Sequence, residues 1–570
     1  GKREGRMKNK CIWPVALLAV TGAGLWHFLE VQEGAVAVGD AWMRGWYLAL
    51  LTAVLVFLAG AGLAFSGKSP ASFSWIFRKK SKTEAGWRLE QIYPAAGLIL
   101  GLLFLFVLPP LSAPDEISHY VSAYQLSSKI LGMPSNAPNG RVLLRPQDVW
   151  VEDLDGVYEY EPDEAGNLKV VLESSEGSRK LGDPLDQSVY HLIWELAPDK
   201  QYEPGRAEAL EGKMVGSMYP PVTTTPVAYG PQALGMALVR AMDWGTLPLL
   251  YLGRLCNLVF FVFMTWLAMK RLPFGKEVLF GTALLPMTLH LSSSFSYDAM
   301  IMGCMFYFTA VCLDLAYEKE RAEWKDVAVL SLVMAAAGPC KMVYAVMMGL
   351  CLLIPVKKFG GWGRWFISAA CVAGAWAGAM YLVNSQVIVS YATETESYVQ
   401  WAGESGYSLS LLIHQPMRLI KIFYQTLLWQ AQHYHLTMIG AYLGNLDPVL
   451  DVPYVLVVLF TLCLLGLALR KPGESLSITG GKRMWVFAVC AACASAVMLS
   501  MLIAWTPLSS RVINGVQGRY FLPFLPVLLL ALKNDWVVLT KERNRSILYL
   551  MCCLNGYELL RLYAIVSIRL

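Results

Sequence analysis

Window after window of roughly 17–25 apolar residues, each long enough to cross a bilayer, restricts this chain to one architecture, a bundle of membrane-spanning helices. Spans are predicted near residues 11–29, 47–66, 92–111, 247–270, 277–293, 298–317, 325–340, 342–356, 362–384, 451–470, 483–504, 519–534 and 546–566. Only 16% of the 570 residues are charged and 56% are hydrophobic, where a soluble chain carries about a quarter charged. The predicted fold class is an all-α polytopic membrane protein of about 11–13 transmembrane helices.

Lys and Arg set the orientation. Lys2, Arg3, Arg6, Lys8 and Lys10 precede the first span, which places the N-terminus in the cytoplasm and reads as an uncleaved anchor. With the spans above, the basic connections 68–88, 270–276, 319–325, 357–364, 470–483 and 541–545 all fall inside. The 12 cysteines lie in or beside apolar windows. No Cys/His metal spacing occurs, and they read as small buried hydrophobes. There is no P-loop or Rossmann glycine fingerprint, and no nucleic-acid partner is expected.

The remaining loops fall outside, and two of them are long. The first, 112–247, holds nearly half of the acidic residues and is too long to be a bare connection. Residues 116–131 have helical periodicity and are expected along the membrane surface. Between 141 and 202, β-prone stretches at 149–151, 157–160 and 168–172 predict a small α/β subdomain. Residues 232–242 are expected to form a re-entrant or juxtamembrane helix. The second loop, 385–450, is expected to carry an interfacial helix over 417–429. The domain division is a two-span extension with a cytoplasmic linker, 1–91, followed by a transmembrane domain, 92–570.

Chemistry-bearing residues gather at the outer ends of spans. Ala113-Pro114-Asp115-Glu116-Ile117-Ser118-His119-Tyr120 follows the third span. A carboxylate there is suited to accept a proton from a hydroxyl, or else to serve as the acidic first turn of a helix. His119 lies one turn on, where it orients a carboxylate, joins a metal site or bonds an interfacial group. Gln517-Gly518-Arg519-Tyr520-Phe521-Leu522-Pro523 opens a late span. Its guanidinium is a planar fork for phosphate or a snorkelling anchor, and Tyr520 can bond the same group. Lys341 and Asp298 stand at other outer ends, a second cation and a possible partner for either.

These motifs, with Tyr124-Gln125, Tyr219-Pro220-Pro221, Ser296-Tyr297-Asp298, Tyr344 and Leu443-Gly444, resemble the DUF2142 family of bacterial membrane proteins from about residue 92 to 534. That family is similar to the GT-C glycosyltransferases. The resemblance implies a GT-C-like bundle in the bacterial cytoplasmic membrane that uses a polyprenyl-phosphate sugar donor. It implies a catalytic carboxylate in the first outer loop, Asp115 with Glu116 adjacent, and a donor phosphate on Arg519, Tyr520 and Lys341. The cleft would take in His119, Asp298, Tyr219 and Gln517. The family commonly has a proline after the acidic pair, where this chain has Ile117. The first two spans stand outside the resemblance.

The expected reaction is an inverting transfer of a sugar to a glycan, lipid or protein acceptor on the extracytoplasmic face. No cofactor is required beyond an optional divalent cation, Mg or Mn. The rivals are a transporter or flippase for a lipid-linked glycan, which would place charge near the bilayer midplane, and a lipid-linked polysaccharide polymerase.

Overall fold

The computed structural model describes residues 2–38, 42–66, 87–148, 158–162, 168–172, 214–217, 219–222, 224–393, 397–444, 446 and 452–568. The chain is mostly helical: α1 (Lys2–Val38), α2 (Trp42–Phe65), α3 (Leu89–Val107), α4 (Glu116–Ile130), α5 (Gly230–Ala241), α6 (Thr246–Arg271), α7 (Lys276–Ala283), α8 (Pro286–Ser292) and α9 (Asp298–Tyr317). There follow α10 (Trp324–Ala337), α11 (Trp362–Thr393), α12 (Leu409–His414), α13 (Pro416–Ile439), α14 (Tyr454–Leu467), α15 (Gly480–Trp505), α16 (Leu525–Leu532) and α17 (Asn544–Ile568).

Among the described residues, α1, α2, α3, α6, α9, α11 and α15 are the 7 helices long and apolar enough to cross a membrane. The other expected spans are helical but short, broken or more polar. The segment at 277–293 is split into α7 and α8 because Pro286 opens α8 and cannot continue the ladder of α7. The interruption is capped from outside by the Asn555 amide, which donates to Leu284 O at 2.9 Å. Past Pro339 the chain returns from α10 as a 3₁₀ helix, Met342–Leu353, in place of an α-helical span. Pro523 and Pro526 cut the expected span at 519–534 down to α16.

Burial ranks the spans. The helix α9 is 89% buried, against 22% for α1 and 17% for α11, so α9 is the axis and the other two are rim. Its sequence is apolar on every face, as an enclosed helix requires. Gly303 lets it approach α6, because a Cβ there would sit 3.0 Å from Met264 Cβ. At the rim, α1 and α2 pack on α17, tied by Tyr47 OH donating to Gly24 O at 2.7 Å and Tyr563 OH donating to Met43 O at 3.1 Å.

At one end of the bundle Lys533 is wholly enclosed. Its Nζ donates to Glu277 and Glu474, both at 2.8 Å. This links α7, the turn after α14 and the end of α16.

One loop expectation needs correction. The helix α4 does not lie along a membrane surface: Tyr120, Val121 and Tyr124 are fully buried. Arg240 of α5 reaches it, donating to Ser127 and Ser128 hydroxyls at 2.5 and 2.9 Å. The stretch 232–242 falls in the helix α5. The first loop forms two antiparallel pairs, β1 (Leu143–Leu144) with β4 (Val215–Gly216) and β2 (Tyr158–Pro162) with β3 (Leu168–Leu172). Residues 149–157, 163–167 and 173–213, which hold most of the expected subdomain, lie outside the described residues. In the second loop β5 (Ser397–Val399) pairs with β6 (Glu404–Gly406). There α13 exposes Met417, Ile420, Tyr424, Leu427, Leu428 and Trp429 while burying Ile422, Thr426, Tyr434 and Thr437, the two-faced pattern of an interfacial helix.

Candidate active site

The chain between α3 and α4 turns sharply. Leu111 and Asp115 both have positive φ, 66° and 57°, although neither is glycine. Such backbone holds only where its surroundings enforce it. The enforcing group is Glu116. Its carboxylate is fully buried and accepts the Ala113 N–H at 2.9 Å and the Phe295 N–H at 2.7 Å.

Arg254 of α6 lies 3.6 Å from the same carboxylate. It also donates to Ser293 O at 2.7 Å and to Leu105 and Leu108 carbonyls at 3.2 Å. One buried ion pair thereby joins the end of α3, the start of α4 and the loop 293–297. That loop is held from a second side by Asn257, which donates to Ser294 O at 2.8 Å and Ser296 O at 2.9 Å.

With Glu116 engaged inward, Asp115 faces outward. Its side chain is 71% exposed, and Oδ2 lies 3.5 Å from Arg519 Nη2. Arg519 Nη1 is 3.5 Å from Asp298 Oδ2, and Lys341 Nζ is 3.7 Å from Asp298 Oδ1. Lys341 also sits over the Tyr520 ring at 3.7 Å and the Tyr297 ring at 5.3 Å. Acids and cations from four distant stretches therefore form one cluster.

Arg519 is 4% exposed, yet its Nε and Nη1 make no hydrogen bond among the described residues. A buried guanidinium with unused donors is prepared to grip an anion.

Backbone contacts set the height of Arg519. It lies on a 3₁₀ turn, Gly518–Phe521. The Gly518 N–H donates to Thr437 Oγ1 of α13 at 2.7 Å, and any Cβ at Gly518 would collide with the Tyr434 carbonyl oxygen. Tyr344 OH donates to Tyr520 O at 2.9 Å, which fixes the other side of the turn.

His119 does not face the Asp115 carboxylate. Its Nδ1 pairs with Tyr229 OH at 2.6 Å, and its ring meets Tyr297 edge-on at 4.8 Å between centroids. Burial pushes its pKa down to about 4, with Arg519 and Lys341 helping and Asp298 and Asp115 opposing. It is a neutral wall of the cleft. Tyr219 is half-buried with its backbone tied to Ser217. The strand beyond it passes between α4 and the Lys341 turn, through Val222 N–H to Ser122 Oγ at 2.8 Å and Thr224 Oγ1 to Cys340 O at 3.2 Å. Gln517 opens the Arg519 turn, and its side-chain oxygen is buried without a hydrogen bond among the described residues.

Sequence reasoning passed over Arg254, Tyr229, Asn257 and Gln232, which donates to Phe295 O at 3.2 Å. An arginine inside an apolar span was a signal available for the first of these.

Among the described residues, no three His, Cys, Asp or Glu side chains are gathered to hold a metal ion. The donor set does not fit a divalent cation; the positive charge at the cleft belongs to Arg519 and Lys341.

Comparison with curated proteins and with solved structures gives no match. A family model described as a predicted membrane protein, DUF2142, matches residues 98–528, well over half of the chain. The match begins inside α3, ends inside α16 and takes in every member of the cluster, so the chain belongs to the DUF2142 family of predicted membrane proteins.

Proposed function

We propose that this chain is a membrane glycosyltransferase of GT-C-like architecture, working on the extracytoplasmic face, with a polyprenyl-phosphate sugar as donor and an envelope glycan, lipid or protein as acceptor. The observation that carries the reading is the meeting of Asp115 with Arg519, 404 residues apart in sequence, at 3.5 Å. An exposed carboxylate beside a buried guanidinium with spare donors is what transfer from a lipid phosphate needs: a proton acceptor next to a phosphate clamp.

In the unliganded cleft, Asp115 and Asp298 balance Arg519 and Lys341. A donor phosphate entering between the cations takes over the Arg519 fork and releases the Asp115 carboxylate from its counter-charge. Asp115 then accepts the proton of the acceptor hydroxyl. The acceptor oxygen attacks the anomeric carbon, the bond from that carbon to the phosphate oxygen breaks, and its electron pair leaves on the lipid phosphate. Arg519 and Lys341 stabilise that departing charge, and the Tyr520 hydroxyl, 3.4 Å from Arg519 Nη2, is placed to donate to it. Attack from the face opposite the phosphate inverts the anomeric configuration. Glu116 takes no part in proton transfer and acts as the positioning residue that turns Asp115 outward. The first loop, 112–247, with the small α/β subdomain expected there, would shelter the acceptor.

The test is transfer of labelled sugar from a purified polyprenyl-phosphate donor by the full chain in detergent. Asp115→Asn is expected to lower the rate about 10²–10⁴-fold, the usual weight of a general base. An unchanged rate ends the catalytic assignment. Glycan movement in vesicles without any transfer would favour the flippase.

A further inference from the structure

The end of the bundle away from the acid–guanidinium cluster carries a second arrangement of side chains. Following α9 from Asp298 to Tyr317 crosses about 28 Å at 1.5 Å per residue. There Lys482, at the start of α15, sits over the Tyr317 ring at 4.7 Å. Lys357 and Lys358 lie on the adjoining 3₁₀ turn, Val356–Phe359. Lys358 Nζ donates to Lys319 O at 2.8 Å. Arg364 lies one turn into α11, over the Trp324 ring at 5.4 Å.

Among the described residues, no carboxylate pairs with any of these four cations. Asp314, the acid that acts most strongly on Lys358, is engaged by Arg271 at 2.7 Å. Burial, followed by the Lys482 and Lys357 ammoniums, pushes the Lys358 pKa down, against the pull of Asp314 and Glu318. Positive charge gathered at one spot without an acidic partner attracts an anion.

Beside these cations an apolar cleft of about 280 Å³ opens between α10, the 3₁₀ helix Met342–Leu353 and α11. Leu330, Met348, Leu352, Phe359, Trp365 and Val372 line it, and its wall is almost free of polar atoms. Trp362 and Phe366 are exposed next to it, as aromatic side chains are at a membrane–water boundary. A hydrocarbon slot with an unpaired cationic rim matches one class of ligand, in which a negative headgroup and an acyl chain belong to one molecule.

We propose that this cleft binds an anionic diacyl phospholipid. One acyl chain lies against Leu330, Met348 and Trp365, and the headgroup phosphate meets Lys357, Lys358 and Lys482. The lipid would brace α10, the 3₁₀ helix Met342–Leu353 and α11, which meet here. The inference stands independently of the glycosyltransferase reading, since its test involves no sugar transfer.

The full chain in neutral detergent is melted with phosphatidylglycerol, phosphatidylcholine or inorganic phosphate, and lipid binding is titrated by native mass spectrometry. Phosphatidylglycerol is expected to raise the melting temperature, and the other two are not. The triple change Lys357→Gln, Lys358→Gln and Lys482→Gln removes three cations, each worth about a factor of five near a lipid surface, and is expected to weaken binding on the order of a hundredfold.

A second variant, Ala369→Trp, fills the slot without touching charge and is expected to displace the same lipid. If the triple variant does not fold, this variant decides alone. Equal stabilisation by phosphatidylcholine, an equal shift with inorganic phosphate, or wild-type lipid affinity in Ala369→Trp would each overturn the proposal.

Discussion

Asp115 and Glu116 are chain neighbours with opposite fates, and what separates them is backbone conformation. With φ at 57°, Asp115 throws its side chain outward, while the next residue starts α4 and points into the core. Only the family resemblance favoured Asp115; the residues themselves left the two carboxylates interchangeable, because nothing local says which one will find Arg254 and two amide donors. That choice is made by contacts across 138 and 179 residues.

His119 illustrates the same limit: the helical period put it on the face of the acids, but Tyr229 captures its ring. Its pKa of about 4, set first by burial, has a consequence for stability. An unfolded histidine binds its proton near pH 6.5. Between pH 6.5 and 4 the unfolded chain is therefore protonated there and the folded chain is not. Stability contributed by this group is present above pH 6.5 and falls as pH drops toward 4, by roughly 3 kcal/mol in all. In His119→Gln that part of the slope disappears, so the difference between wild-type and variant melting curves should open only below pH 6.5. Parallel curves across this range would mean that His119 is not buried as a neutral ring.

Among elements, the long uninterrupted runs were readable and the proline-punctuated ones were not. Six of the seven candidate spanning helices lie within a few residues of their predicted windows, and the first runs on to Val36, past its predicted end at residue 29, because about twenty apolar residues in a row suit a span while their edges are weakly marked. The segments at 277–293 and 519–534 met the same composition rule, but Pro286, Pro523 and Pro526 break the ladder where sequence gave only an average. The 3₁₀ turn that lifts Arg519 is a product of one of these interruptions, and Gly518 is its narrowest point. A methyl group there meets Tyr434 O and the Met438 backbone, so α13 and the turn must separate. Gly518→Ala is expected to cost about 1–3 kcal/mol of stability and to reduce sugar transfer by moving Arg519 away from Asp115. Gly363→Ala, where nothing lies within 4 Å, is the control and should change neither. A Gly518→Ala protein with normal melting and normal transfer would show that the turn has room the geometry denies.

At the scale of the molecule, charge is sorted by end. One end gathers Asp115, Asp298, Lys341 and Arg519 into a nearly balanced cluster. The other holds the enclosed Lys533 with its two glutamates and the unbalanced Lys357, Lys358, Lys482 and Arg364. The excess of basic residues at the second end is the distribution that keeps a loop in the cytoplasm during insertion. On the proposed reading the cluster faces outward, where a lipid-phosphate donor would be used without nucleotide. Single cysteines test this in intact cells with a membrane-impermeant thiol reagent, each compared with the unsubstituted chain. Asn139→Cys, exposed in the first loop, should react from outside. Lys541→Cys, exposed in the basic connection before α17, should react only after the membrane is opened. The reverse pattern would put Asp115 and Arg519 in the cytoplasm, where the same acid and guanidinium would have to serve a different donor. The fold and the family would stand, and the proposed direction of glycan transfer would not.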